Sequence, residues 1–350
     1  MSLEPKRQIA DYLNSNDQRC IVFFDSIESH PIQNPILPKV IAGLLMAINR
    51  FRVGGIIGVN LCIPEEYSDV FEENLSNSLK DLEHAVTLKW TPGDLLQIVA
   101  HRFFQYIDIH QSEEDATFIE RFEGRDWSVR ANIQEFFDAT MAEELINSHG
   151  QPENSLGYMI RHTHLLPREF LVLFTDAIKF SRDEIGEGSK KWITADAVVK
   201  SVTANEGQIA THNSTLHKRR FPRFLTALDD IMPNMDSIVD IAKLRSLETQ
   251  FKGRYEDEIT DVWRTLYAMG ALGYADEILQ KKSEESDRYF YADFYFTTPN
   301  SINFRKGMLY CVHPLFSRKW NMKKPKKYET RFVYPANIES FFINEKSNST

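Results

Sequence analysis

Apolar residues recur along this chain in two different rhythms. Near the amino terminus they form short unbroken runs, Cys20-Ile21-Val22-Phe23-Phe24 and Ile56-Ile57-Gly58-Val59-Asn60-Leu61-Cys62-Ile63. Continuous runs of this length suit parallel strands buried on both faces. A third run, Ala85-Val86-Thr87-Leu88-Lys89-Trp90, predicts another strand. Residues 5–19 predict a short helix before the first strand. Between the first two strands, Leu37, Val40, Ile41, Leu44, Leu45 and Ile48 repeat at helical spacing, bounded by Gly54-Gly55. Thr91-Pro92-Gly93-Asp94 opens a further helix. Thr91 can cap it, Pro92 suits its first turn, and Asp94 complements its dipole. Leu95, Leu96, Val99 and Phe103 form its inner face. Strands alternating with helices in this way predict an α/β parallel sheet.

From about residue 106 the helical rhythm takes over. Phe136, Phe137, Met141 and Leu145 are placed inside, as are Phe170, Leu173, Phe174, Ala177 and Ile178 after Leu166-Pro167-Arg168. Asp183 to Lys190 reads as a polar linker, after which Thr194 starts a helix. In the helix at 258–269, Ile259, Val262, Trp263, Leu266 and Tyr267 face inward, and Gly270 and Gly273 end it. Residues 289–297 and 304–312 alternate as two strands and predict a hairpin. Helices followed by such a pair have the outline of a winged helix. The expected organisation is an α/β domain at 1–105, a helical lid at 106–183, a winged-helix-like domain at 191–320 and a basic tail at 321–350.

Composition narrows the class. At 350 residues, 42% hydrophobic and 26% charged, the chain is an ordinary globular one. A net charge of −9 argues against bulk coating of nucleic acid. Cys20, Cys62 and Cys311 lie far apart, which excludes a disulfide scaffold or a zinc knuckle and fits a cytoplasmic location. No apolar run reaches the ~18 residues that span a bilayer. His162 and His164 have no acid or cysteine cluster nearby, so they read as polar packing rather than as metal ligands. No nucleophile motif of the GxSxG type occurs.

The candidate chemistry sits after the first strand, where Asp25 and Glu28 fall at its carboxyl end. Alone, this segment reads first as a buried strand ending in a polar turn. In α/β sheets, however, carboxylates at that edge can hold magnesium through water or orient an attacking water. Together with the second and third strands, the helical stretch entered by Pro167-Arg168 and the final helices and strands, it resembles the carboxyl-terminal part of a P-loop ATPase of the STAND/AAA+ type. The likeness covers residues 5–315. It implies an incomplete parallel P-loop-NTPase-like sheet, a helical lid and an α+β winged-helix domain. It also implies that Asp25 is the magnesium-directed Walker B acid, Glu28 the water-activating acid, Asn60 a sensor of the γ-phosphate, and Arg168 a lid arginine reaching phosphate. Serine stands at position 26, where the family more often has the second acid. Pro64-Glu65-Glu66 stands where STAND proteins often have an arginine.

The pattern GxxxxGK[ST] occurs nowhere in the chain. A Gly-rich loop and its lysine supply most of the grip on phosphate, so ATP and Mg2+ are expected only where a Walker A segment comes from a longer chain or a partner. In the resembled fold that segment's strand lies between the second and third strands here. Its absence would leave residues 85–90 with no neighbour. Two basic clusters, His217-Lys218-Arg219-Arg220 with Arg223 and Arg318 to Arg331, offer a surface for DNA or a protein partner. The helix at 258–269 is acidic at its start, which favours protein docking. The alternative function is a non-enzymatic winged-helix regulator or adaptor.

Overall fold

The computed structural model describes residues 4–25, 36, 39–40, 43–44, 46–48, 55–62, 86, 88–110, 115–147, 150–184, 192–220, 222–255, 262–276, 289–297, 307–322 and 332–335. These form a mixed helix and strand structure in two compact units, residues 1–87 and 88–350.

In the first unit, helix α1 (Glu4–Ser15) precedes strand β1 (Cys20–Phe24), which pairs in parallel with β2 (Ile57–Leu61). The register sets Val22 opposite Val59 and Phe23 opposite Asn60. Parallel pairing is what the unbroken apolar runs predict. Their burial is not. Ile21 is 60% and Phe23 66% exposed, and Val22 and Phe24 are exposed as well, whereas Val59 on β2 is buried. Among the described residues, only β2 hydrogen-bonds to β1, and the side chains on both faces of β1 remain largely open. The third predicted strand is also corrected. Val86 and residues 88–90 are not strand, and Val86 and Leu88 are 81% and 83% exposed. Of the predicted helix at 37–48, positions 39–40, 43–44 and 46–48 are helical, with Ile48 buried and Val40 exposed.

The second unit begins with α2 (Pro92–Ile109). Thr91 caps it as expected. Its Oγ1 accepts from the Asp94 amide at 3.2 Å, and the Asp94 carboxylate accepts from the Thr91 amide at 2.8 Å, closing a capping box. The boundary expected at 105/106 falls inside this helix, because Phe103 and Ile107 continue the buried face of Leu95, Leu96 and Val99. Helices α3 (Ala116–Phe122) and α4 (Arg130–Thr140) follow. The stretch expected to be wholly helical then contains an antiparallel hairpin, β3 (Glu144–Ile146) with β4 (Pro152–Asn154). Asn154 ends β4 and caps the short helix α5 (Ser155–Ile160), accepting from the Gly157 amide at 2.9 Å. Helix α6 (Pro167–Glu184) buries Phe170, Leu173, Phe174 and Ala177 as predicted, and packs along α7 (Ala195–Arg220). Thr194 starts α7, its hydroxyl accepting from the Ala197 amide. A continuous core runs from α2 through α6 and α7 into the strands beyond, so the expected lid and wing are not separately cored.

Those later elements are α8 (Pro222–Ile231), β5 (Ile238–Asp240), α9 (Ile241–Tyr255), α10 (Val262–Ala268), β6 (Leu272–Asp276), β7 (Tyr289–Ala292), β8 (Met308–Val312), α11 (Pro314–Ser317) and β9 (Phe332–Pro335). Three strands form an antiparallel sheet in the order β5-β8-β6. The expected hairpin of 289–297 with 304–312 does not form. β8 pairs with β6 instead, and β7 pairs in parallel with β9, which lies in the stretch expected to be a loose basic tail. All four residues of β9 are buried. Gly270, at φ +67°, ends α10 as expected. Gly273 does not; it lies in β6, where an added Cβ would stand 2.7–2.9 Å from three atoms of the Phe294 ring. Bare backbone there lets the ring lie flat on the strand.

Candidate functional site

The residues expected to carry nucleotide chemistry divide between the units. Asp25 directly follows β1 at its carboxyl end and is exposed, and Asn60, on β2, is exposed too. The Cys62 amide donates to the Phe24 carbonyl at 2.8 Å, so the pairing continues to the edge where Asp25 stands. Glu28 lies outside the described residues. Arg168 belongs to the second unit, exposed on the first turn of α6. There it lines a shallow depression of about 600 Å3 with Leu171, Val172, Thr175, Asp176 and Lys179. Lys218, Arg219 and Arg220 form the last turn of α7, and Arg223 is exposed at the start of α8. Within the first unit, Asp25 and Asn60 thus stand on paired strands, and within the second, Lys218, Arg219 and Arg220 share one helix turn. Among the described residues no three His, Cys, Asp or Glu side chains cluster as a metal site. One carboxylate fits the water-mediated contact that magnesium makes with a Walker B acid, and it fits no more of Mg-ATP than that.

The densest polar chemistry lies elsewhere, and spacing along the sequence does not announce it. Glu153, on β4, is fully buried. Its Oε1 receives Arg161 Nε at 2.5 Å and the Tyr334 hydroxyl at 2.7 Å, and its Oε2 receives Arg161 Nη2 at 3.1 Å and Asn147 Nδ2 at 2.9 Å. Burial opposes the charge on Arg161. Glu153 outweighs it and holds the guanidinium pKa above its usual value. The Arg161 guanidinium also lies over three rings, 5.0 Å from Tyr158, 5.6 Å from Phe332 and 5.9 Å from Tyr334. Burial, then the Glu153 charge, pushes the Tyr334 hydroxyl pKa well up, so it stays a donor.

A second group surrounds Glu169, one residue after Arg168 on α6. Its carboxylate accepts from the His164 amide at 2.6 Å and from Asn213 Nδ2 at 2.6 Å. Burial nevertheless raises its pKa to about 7, against those two hydrogen bonds. Asn213 also reaches His164 Nδ1 at 3.1 Å. The His164 ring stacks on Phe296 and meets His313 edge-on, with centroids 5.0 Å apart. Burial holds His313 well below the ordinary histidine pKa, so it is neutral, and its Nδ1 accepts from the Leu315 amide. His162 Nδ1 lies 2.7 Å from the Tyr158 carbonyl. Both members of the His162/His164 pair are therefore engaged in packing, as their surroundings in the sequence suggest. On α7, Glu206 meets Arg318 Nε at 2.9 Å, yet burial carries its pKa to about 7.

These groups bind helices α5 to α7 to the carboxyl-terminal strands. Glu153 accepts four hydrogen bonds from the chain itself, Glu169 accepts two, and Glu206 is held by Arg318. No family model, curated protein or solved structure matches this chain. Among the described residues, no helix is long and apolar enough to cross a membrane.

Proposed function

We propose that this chain is the carboxyl-terminal part of a P-loop ATPase of the STAND/AAA+ type, in which nucleotide state is coupled to a winged-helix module. The observation that carries this reading is the β1–β2 pair. Its strands are parallel and adjacent, Asp25 stands at the carboxyl edge of one and Asn60 lies on the other, and the apolar faces of β1 are uncovered. A sheet lacking its central P-loop strand, which the likeness places between β2 and residues 85–90, accounts for the exposure of Val86 and Leu88, while the exposed faces of β1 suit cover by elements of a larger domain. When bound, magnesium would neutralise phosphate charge; the part of Asp25 is to orient the metal's water shell. The second unit supports the other half of the reading. Helix α8, β5, α9, α10, β6 and, after the separately paired β7, β8 come in that order, with β8 between β5 and β6, which is the strand order of a winged helix.

The test is ATP binding by the chain supplied with a P-loop-bearing segment, encoded upstream of the Met1 codon or carried by a co-purifying protein. Fluorescent ATP should bind that assembly and bind the chain alone far more weakly, and Asp25→Ala should weaken the assembly at least about tenfold. Equal binding with and without Asp25 removes the assignment.

The alternative, a non-enzymatic winged-helix adaptor, draws on the helix α10. Four of its residues, Val262, Trp263, Leu266 and Tyr267, are buried, leaving Arg264 as its one basic side chain. Such a helix is poorly equipped to read a major groove, so a protein partner suits it better than DNA. Neutralising Lys218, Arg219 and Arg220 together should then abolish partner capture while ATP remains without effect.

A further inference from the structure

Strand β9 is held in the manner of a bound peptide. It is four residues long, it pairs only with β7 among the described residues, and its side chains go alternately to two separate apolar clusters. Phe332 and Tyr334 turn to the Arg161 side. There the Tyr334 ring packs against Tyr289 at 5.6 Å and its hydroxyl donates to Glu153. Gly157 forms the floor under that ring: a Cβ at this position would stand 3.1 Å from the hydroxyl oxygen and 3.4 Å from Cε1. Val333 turns the other way, into a small apolar cluster with Phe290, Leu309 and Cys311. Pro335 ends the ladder opposite Ala292, having no amide proton to donate. Main-chain pairing for affinity with alternate side chains in pockets for specificity is the logic of peptide recognition by strand addition.

The charged floor of the site does not depend on the strand. Glu153 keeps both hydrogen bonds from Arg161 and the one from Asn147 when the Tyr334 hydroxyl is removed, so departure leaves no buried charge unpaired. A pair that is satisfied before its ligand arrives is a preorganised one.

We propose that the groove bounded by β7, Gly157 and the Glu153–Arg161 pair is a recognition site for an extended aromatic–aliphatic–tyrosine segment, filled in cis by residues 332–335 and open to the same motif in trans. This inference is independent of any role in nucleotide binding. In cis, the tether gives the segment a high effective concentration, so an outside peptide competes poorly until the tether is cut.

The experiment uses the full chain with a protease site placed between residues 323 and 331, cleaved in the folded state, and a fluorescent peptide of residues 330–337. The nicked protein should release its own segment and take up the peptide saturably, while the uncut protein takes up far less. A Tyr334→Phe peptide should bind about tenfold more weakly, the usual effect of losing one hydrogen bond to a charged group. A Phe332→Ala, Tyr334→Ala peptide should not bind. Retention of the segment against excess peptide, loss of the fold on cleavage, or uptake indifferent to Tyr334 would each overturn the proposal.

Discussion

Arg161 and Glu153 meet in the interior, with Nε 2.5 Å from Oε1, Nη2 3.1 Å from Oε2, and side chains only 9% and 0% exposed. They join the end of α5 to the β3–β4 hairpin across eight residues of sequence. A pair this deep is costly to break and of small net value to keep, because each ion has lost its water. Arg161→Met should therefore lower stability by about 3–5 kcal/mol, leaving a buried carboxylate with only neutral donors. Adding Glu153→Leu to that variant should recover most of the loss. Urea unfolding of the two single variants and the double variant measures the coupling directly.

The Glu169 and Glu206 carboxyls both have pKa values raised to about 7, in each case mainly by burial. A carboxyl with a raised folded-state pKa holds its proton where the unfolded chain has lost it. Its stabilising contribution is complete below the unfolded value near 4.5 and is lost as pH rises through about 7. Stability should thus fall between pH 5 and pH 8, by roughly 3 kcal/mol from Glu169. Glu206, raised to the same value, adds a fall of similar size. Glu169→Gln mimics the protonated form and should remove about half of the slope in thermal melts across that range. An unchanged slope would mean that Glu169 is not the titrating group.

Gly273 and Phe294 are in contact through the absence of a side chain. Gly273→Ala puts a methyl within 3 Å of three ring atoms, and the ring is itself wedged between Phe296 and His313. Overpacking of this kind should cost about 1–3 kcal/mol. Phe294→Leu, which frees the space, should make the same alanine nearly harmless. A double-variant cycle in chemical denaturation checks that coupling.

Local rules made much of this legible in advance. The capping box at Thr91, the inner faces of α2 and α6, the start of α7 at Thr194 and the parallel pairing of β1 with β2 all follow from spacing and end signals within a few residues. Partner choice over long distances does not. β8 could pair with the alternating residues 289–297 or with β6, and alternation is identical for both. β6 prevails through a register that sets Gly273 opposite Cys311 and leaves room for the Phe294 ring. The Glu153–Tyr334 contact spans 181 residues, and no spacing rule reaches that far. Gly157 was the one available sign, a glycine inside a helix where a ring needs the space. Buried polar groups such as Glu169 and His313 are hidden for a similar reason, since a polar residue in an amphipathic pattern is assigned to solvent until its neighbours are known.

Strand β1 offers the sharpest test of whether the first unit is part of a larger sheet. Ile21 and Phe23 lie on one face of it and Val22 and Phe24 on the other, and all four are exposed in this chain, whereas Val59 across the pair is buried. Residues kept apolar for the chain's own core would be costly to charge. Residues kept apolar for an absent neighbour would not be. Ile21→Lys with Phe23→Lys should accordingly change the stability of this chain by no more than about 0.5 kcal/mol, the ordinary effect of a surface substitution. Val59→Lys should cost several-fold more, by burying an unpaired ammonium. The double lysine variant should also reduce binding of an apolar fluorescent dye, because an exposed patch of this kind attracts such probes. Thermal melts and dye titration on the three proteins decide the matter. If Ile21→Lys with Phe23→Lys destabilises the chain as strongly as Val59→Lys, the β1 faces are already covered by the chain itself, and the incomplete-sheet reading of Asp25 and Asn60 loses its support.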